Sequence, residues 1–264
     1  MKITAILVVR NEEVYIEETI KYLIENNISI VVIDNESTDN TVAICKKYYP
    51  ENITNIETIP FDGTFNLQAH IAEAKKMLKT LETDWVISHA ADERIISNRC
   101  EETLYDAIVR VSKLGFDIIN LDEFVFIYEN NEIDYRGADF FNAMRYYYFF
   151  EPKKLRLMRI FRRDVFLSGR LAGVHNIEIN SRGKLYPYNF VLQHHLALSY
   201  QHAKEKYLTR TYNQSDLELG WHSNRINMTS ENLAAPKNSL LMYKKYCSGA
   251  LDKNRPYKKH FWEW

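Results

Sequence analysis

Two short apolar runs that stop abruptly at polar residues constrain the fold more than any other feature of the chain. Ile6-Leu7-Val8-Val9 gives way to Arg10-Asn11-Glu12-Glu13, and Ile30-Val31-Val32-Ile33 gives way to Asp34-Asn35-Glu36-Ser37-Thr38-Asp39. Each run is long enough only for a strand buried on both faces, and each is followed by a helical pattern. A parallel α/β sheet presents a ligand crevice in this way, at the carboxyl ends of its strands. A third ending of the same kind follows at Trp85-Val86-Ile87-Ser88-His89-Ala90-Ala91-Asp92-Glu93.

Ile16, Ile20, Leu23 and Ile24 fall at helical spacing and predict a crossover helix within Glu12 to Asn26. Ser37 or Thr38 can cap a second helix, Thr41 to Tyr49, which stops before Pro50 because proline disfavours helical geometry in the residue before it. Ile53 to Ile59 reads as a strand, Gly63 to Leu81 as a helix and Asp84 to Ser88 as a strand. Four strands alternating with three helices make a βαβ series and a mostly parallel, twisted sheet flanked by helices. Glu101 to Leu114 reads as a further helix, and Phe116 to Leu121 and Phe124 to Tyr128 as strands. Beyond residue 122 the pattern changes to aromatic-rich strand-like runs such as Leu155 to Phe161, with a helix expected over Ser199 to Tyr212. The chain therefore divides into two halves of one domain, 1–121 and 122–264, with no flexible linker, repeat or low-complexity tract.

Composition excludes several alternatives. With 34 basic against 35 acidic residues there is no global attraction to nucleic acid or anionic membranes. Only 8 glycines are present, and neither G-x-x-x-x-G-K-[ST] nor G-x-G-x-x-G occurs. Cys45, Cys100 and Cys247 lie far apart, so no disulfide framework or zinc ribbon is indicated and a reducing compartment suits them. No window approaches an apolar membrane span and no secretory leader is visible, so a soluble cytoplasmic protein is expected.

At the carboxyl end of a parallel strand, side chains and freed backbone groups face the crevice. Arg10, Asn11, Glu12, Asp34 and Asn35 are thus placed to hold a base and ribose. The alternative is that Asp34, Asn35 and Asp39 are turn and capping residues. The three endings together resemble the nucleotide-sugar site of family 2 glycosyltransferases, in which the first strand ends in Asn-Glu, the second in Asp-Asn-x-Ser-Thr-Asp and the third in a two-acid metal motif. The resemblance implies a GT-A-type fold with a nucleotide-sugar-binding first half and an acceptor-side second half. It also implies a Mn²⁺ or Mg²⁺ ion that neutralises the leaving diphosphate. Ala90 stands where the first acid of that motif falls, while Asp92 and Glu93 match the later ones. Asp92 is the expected metal ligand, with His89 as a further candidate.

The resemblance continues through Met144 to Pro152, Leu157 to Arg163, Leu185 to His195, Ser199 to Tyr207 and Gly220-Trp221-His222. It implies transfer from a nucleoside diphosphate sugar, UDP-sugar favoured, to a hydroxyl of a glycan or lipid-linked glycan, with inversion, in bacterial surface glycan assembly. Relatives carry Val-His-Glu where this chain has Val174-His175-Asn176, which leaves His175 as the leading proton acceptor, with Asp122, Asp139 and Glu178 as alternatives. His194 would complete the metal shell or meet the diphosphate. Lys206 and Arg210, one helical turn apart, would face the same anion. Trp221 and His222 would stack on a sugar or pack as a lid. The run Tyr146 to Phe150 is expected to fill the core of the second half rather than line an acceptor cleft. The ending Lys253 to Trp264 mixes cations with aromatics, which suits a peripheral contact with the inner membrane face, a tail folded back on the domain or a dimer contact. Ala90 and Asn176 together motivate a rival, a nucleotide-sugar-binding protein without catalysis. A nucleotidyltransferase would need a glycine- and arginine-rich loop after the first strand, and Arg10-Asn11-Glu12-Glu13 is not one.

Overall fold

A computed structural model describes residues 1–168, 183–236, 238–244 and 251–264. The first half runs β1 (Ile3–Val9), α1 (Ile16–Glu25), β2 (Ser29–Asp34), α2 (Thr41–Lys46), β3 (Ile53–Thr58), α3 (Leu67–Thr80), β4 (Trp85–His89), β5 (Glu93–Ile96) and α4 (Leu104–Lys113). It continues through β6 (Ile118–Ile119), β7 (Leu121–Phe126), α5 (Phe140–Ala143), β8 (Tyr146–Phe150), β9 (Ile160–Arg162) and α6 (Arg163–Ser168). The last elements are β10 (Phe190–His195), α7 (Tyr200–Tyr207), α8 (Gln214–Glu218) and β11 (Leu241–Met242).

The expected βαβ series is present. β3, β2, β1 and β4 lie side by side and parallel, and β9 and β6 extend this sheet beyond β4. Register aligns Val9 with Asp34 and Leu7 with His89, which brings the three polar strand endings to one edge. β1 is buried on both faces: Ala5, Leu7 and Val9 join the cluster that contains Ile16, Ile20 and Leu23 of α1, and Ile6 joins the opposite cluster with Met77 and Leu78 of α3. Continuous burial is why these strands read as unbroken apolar runs.

A second, mixed sheet has the order β11-β8-β7-β10-β5. β5 comes from the first half of the chain yet pairs with β10, and β9 comes from the second half yet pairs with β4. The Ala90-Ala91-Asp92 segment is therefore the bridge between the sheets, because β4 ends at His89 and β5 begins at Glu93. The aromatic run is β8, and it is core as expected. Tyr147, Tyr148, Phe149 and Phe150 are buried, with Phe149 stacked on Phe124 at 5.1 Å and Tyr147 on Phe126 at 5.5 Å.

Several boundaries differ from expectation for identifiable reasons. The α3 helix starts at Leu67, not Gly63, because Phe65 is held extended by a bridge to Tyr212. Asn66 accepts from the Ala69 N–H, and the buried Asp216 of α8 accepts from the N–H groups of Leu67 and Gln68, so two side chains satisfy the first turn of α3. The α7 helix ends at Tyr207, which leaves Arg210 in the following loop. At the C-terminus the tail folds back on the domain: Phe261 and Trp262 are buried, and His260 stacks on Phe150 at 3.8 Å.

Candidate functional site

The polar ends of β1 and β4 and the segment Lys206 to Thr211 enclose a cavity of about 730 Å³. Arg10, Asn11, Glu12, Asp92, Lys206 and Arg210 all line it, and so do His194 and His222. Asp34 and Asn35 do not line it among the described residues. The Asp34 carboxylate accepts from the Ser37 N–H at 3.1 Å, closing the turn after β2. The Asn35 amide donates to the Pro60 carbonyl at 2.8 Å, and its oxygen lies 3.0 Å from His70 Nε2. Arg10 clamps this turn by donating to the carbonyls of Asn35 and Glu36, with its guanidinium 3.2 Å from the centre of the Phe61 ring. Asn11 takes a left-handed φ of 54° that lets its N–H donate to Ser37 Oγ while its side-chain oxygen accepts from the Thr38 N–H.

The other proposed residues are dispersed. Asp122 accepts from Asn189 at 2.7 Å and pairs with Lys253 at 2.5 Å, away from the cavity wall. Asp139 caps α5 by accepting from the Asn142 N–H, and borders a separate groove with Glu13 and Glu17. His175, Asn176 and Glu178 lie outside the described residues. Trp221 is not part of the cavity wall, whereas His222 is, stacked on Tyr212 at 4.9 Å and edge-on to Phe65 at 5.3 Å.

A dense charge cluster occupies the bridge between the sheets. The antiparallel register of β10 and β5 places His194 opposite Glu93. Lys206 Nζ donates to Asp92 Oδ2 at 2.7 Å, and His194 Nε2 lies 3.4 Å from the same oxygen. His194 Nδ1 meets Glu123 at 2.5 Å, and Glu123 is also paired with Arg156. Glu93 is held by both terminal nitrogens of the buried Arg159, each at 2.6 Å, and also accepts from the Ala90 N–H. Burial alone would raise the Asp92 carboxyl, but Lys206 and His194 overcome it and hold it well below the usual range. Glu93 is likewise held at about 2 against burial, chiefly by Arg159. Burial works against the Lys206 ammonium too, and Asp92, Tyr15 and Glu12 outweigh it, so its pKa lies well above the ordinary value.

Among the described residues, Glu12 has no such close partner. Burial pushes its carboxyl up to about 7, against the pull of Lys206. It binds its proton more tightly folded than unfolded, so the associated stabilisation is complete below about pH 4.5 and is lost as the pH rises through about 7. Glu12→Gln, which cannot titrate, is expected to be more stable than the native chain by about 2 kcal/mol at alkaline pH and not at acid pH. Thermal melts across pH check this, and an equal difference at both ends would contradict it.

Asp92, Glu93 and His194 each bring a ligand atom within 4.8 Å of the others, a group whose spacing could hold a metal ion. Its chemistry does not fit the two-acid clamp that the sequence suggested. Ala90 offers no side-chain oxygen, both Glu93 oxygens are committed to Arg159, and Asp92 already neutralises Lys206. Sequence reasoning missed Arg159 and Glu123. Their signal was present, because each is a charged residue inside an apolar strand-like run, a position that demands a buried partner.

A twisted sheet with β1, β2, β3 and β4 parallel, bearing a cation-lined cavity at their carboxyl ends, defines an α/β protein of the GT-A type. The chain belongs to glycosyl transferase family 2, whose model matches residues 4–166. No curated protein sequence matches it significantly. Among solved structures it is similar to TarS of S. aureus, residues 1–349, at 18% identity and a TM-score of 0.46, over 74% of this chain and 60% of that one. It is also similar to the mannosyltransferase PcManGT from Pyrobaculum calidifontis in complex with GDP-Man and Mn²⁺, at 18% identity and a TM-score of 0.38, over 65% of this chain and 47% of that one. A third is glucosyl-3-phosphoglycerate synthase from Mycobacterium tuberculosis, in complex with Mn²⁺, UDP and phosphoglyceric acid, at 16% identity and a TM-score of 0.36, over 67% of this chain and 61% of that one. The chain thus spans about 60% of the length of the TarS structure that it matches.

Proposed function

We propose that the protein transfers a sugar from a nucleoside diphosphate sugar, with UDP-sugar the favoured donor, to a hydroxyl of a glycan or lipid-linked glycan. The observation that carries this reading is the cavity of a family 2 chain whose wall joins Arg10, Lys206 and Arg210 to Asn11 and Glu12. The cations suit a diphosphate, and the amide and carboxyl groups suit a ribose or base. Asp34 and Asn35 support the donor by holding the strand-end turn.

Transfer with inversion is a single displacement. The acceptor oxygen forms a bond to the anomeric carbon as the bond to the diphosphate oxygen breaks, and the hydroxyl proton passes to a base. His175 is the proposed base, whereas Asp122 and Asp139 stand apart from the cavity. The Mn²⁺ or Mg²⁺ implied by the family resemblance was expected at Asp92 and His194. Because the donor set does not fit it, no part of this reading depends on an ion. A role in bacterial surface glycan assembly at the inner membrane face accords with a lipid-linked acceptor. Among the described residues, no helix is long and apolar enough to cross a membrane.

The absent acid at Ala90 favours one second reading, a nucleotide-sugar-binding protein without catalysis. A panel of UDP-, GDP-, CMP- and dTDP-linked sugars separates the two. Thermal stabilisation by one donor, with slow release of its nucleotide, is expected of the transferase. Stabilisation with no release, even with candidate acceptors, supports the binding protein, and no stabilisation by any donor contradicts both.

A further inference from the structure

We infer that Lys206 takes the place of the family's divalent ion, so that the donor diphosphate is bound without a metal, its charge met by Lys206 together with Arg210. This rests on the donor reading above and deepens it. The argument is one of charge and space around Asp92. A divalent ion in this position needs carboxylate oxygens that are free to reach it. Each carboxylate of the cluster already faces a fixed cation: Glu93 faces Arg159, Glu123 faces Arg156, and Asp92 faces Lys206. Inserting a dication beside Asp92 would bring it against the Lys206 ammonium, which sits 2.7 Å from the same carboxylate.

Lys206 is well suited to stand in. It rises from α7, whose first turn is capped by Ser199 donating no proton but accepting from the His202 N–H. Its ammonium lies 5.0 Å from the centre of the Tyr15 ring and lines the cavity, so little rotamer freedom remains to be lost on binding an anion. Arg210 lines the same wall, over the Phe65 ring at 4.6 Å, and makes no ion pair among the described residues. The Lys206 ammonium, shared with Asp92, and the Arg210 guanidinium, which has no ion-pair partner among the described residues, give the diphosphate two cationic donors on one wall. Asp92 then serves as a positioning residue that keeps Lys206 at the bridge between the sheets.

The test is calorimetric titration of the chain with UDP, GDP, CDP and dTDP, each in excess EDTA and in MnCl₂, with the matching nucleoside as a control. One nucleotide is expected to bind in EDTA, with an affinity that Mn²⁺ changes by less than about threefold. Lys206→Met should weaken that nucleotide by about tenfold or more while leaving the nucleoside unchanged, because the lysine reads only phosphate. The nucleoside control separates this loss from a collapsed site, and Lys206→Arg should restore part of the affinity. In Ala90→Asp combined with Lys206→Met, which supplies the missing acid and removes the cation, binding should become Mn²⁺-dependent. Nucleotide binding that requires Mn²⁺ in the native chain, or that survives Lys206→Met unchanged, overturns the inference alone. Failure of every nucleotide in both buffers overturns the donor reading and the inference with it.

Discussion

Arg159→Leu is expected to destabilise the protein by about 4 kcal/mol, the largest effect of any single change considered, because it strands a buried carboxylate. Arg159 is 2% exposed, and its guanidinium grips both oxygens of Glu93 while its Nε donates to the Ser88 carbonyl. Removing the cation leaves Glu93 charged and unpaired at the start of β5. Urea unfolding of Arg159→Leu against Arg159→Leu with Glu93→Leu provides the check. The double variant should recover most of the loss, since replacing a buried ion pair by apolar residues is commonly near neutral. No recovery would mean that the pair does more than cancel charge. The pair also sets the acid limb of stability. The Glu93 carboxyl is depressed from 4.5 to about 2, so its contribution is complete above about pH 4.5 and is lost as the pH falls towards 2. The double variant should lack that limb.

Asp92→Asn is expected to lower transfer by about a hundredfold while leaving donor affinity unchanged or raised. Asp92 holds the Lys206 ammonium and faces His194, so its charge fixes where both side chains sit. A displacement of about an ångström at a reacting centre is enough for a loss of that size. Freed from its internal partner, the ammonium is more available to a phosphate. Turnover measured at saturating donor, with nucleotide affinity measured separately, resolves the two effects. A parallel fall in affinity and turnover would instead assign Asp92 to donor binding.

The first sheet was legible because its determinants are local. Ile6 to Val9, Ile30 to Ile33 and Trp85 to Ile87 are continuous apolar runs, and the helices between them show helical spacing of buried residues. Helix starts were legible less well, because the start of α3 depends on Tyr212 and Asp216, far along the chain. β5 was not legible as a strand at all. Its four residues, Glu93 to Ile96, carry no signal apart from the pairing with β10 that makes them one.

The candidate site divides along the same line. Asp34 and Asn35 were singled out as ligands from their place at a strand end, a place where such residues also close turns, and in the fold they hydrogen-bond to Ser37 and Pro60. Asn11, Glu12, Asp92, His194, Lys206 and Arg210 were also singled out, and these do meet in one cavity. What linked them in the sequence was the family resemblance, since Lys206 and Asp92 are 114 residues apart.

The sequence by itself determined the parallel βαβ series, the family and the residue types available at the strand ends, because apolar periodicity and strand-end polarity act over a few neighbouring residues. Only the tertiary structure decided which charges neutralise which. The register of β10 on β5 places His194 beside Glu93, and α7 delivers Lys206 to Asp92. Pairing energies inside a buried cluster depend on distances of a few ångströms between groups from remote segments, and no local pattern encodes those distances.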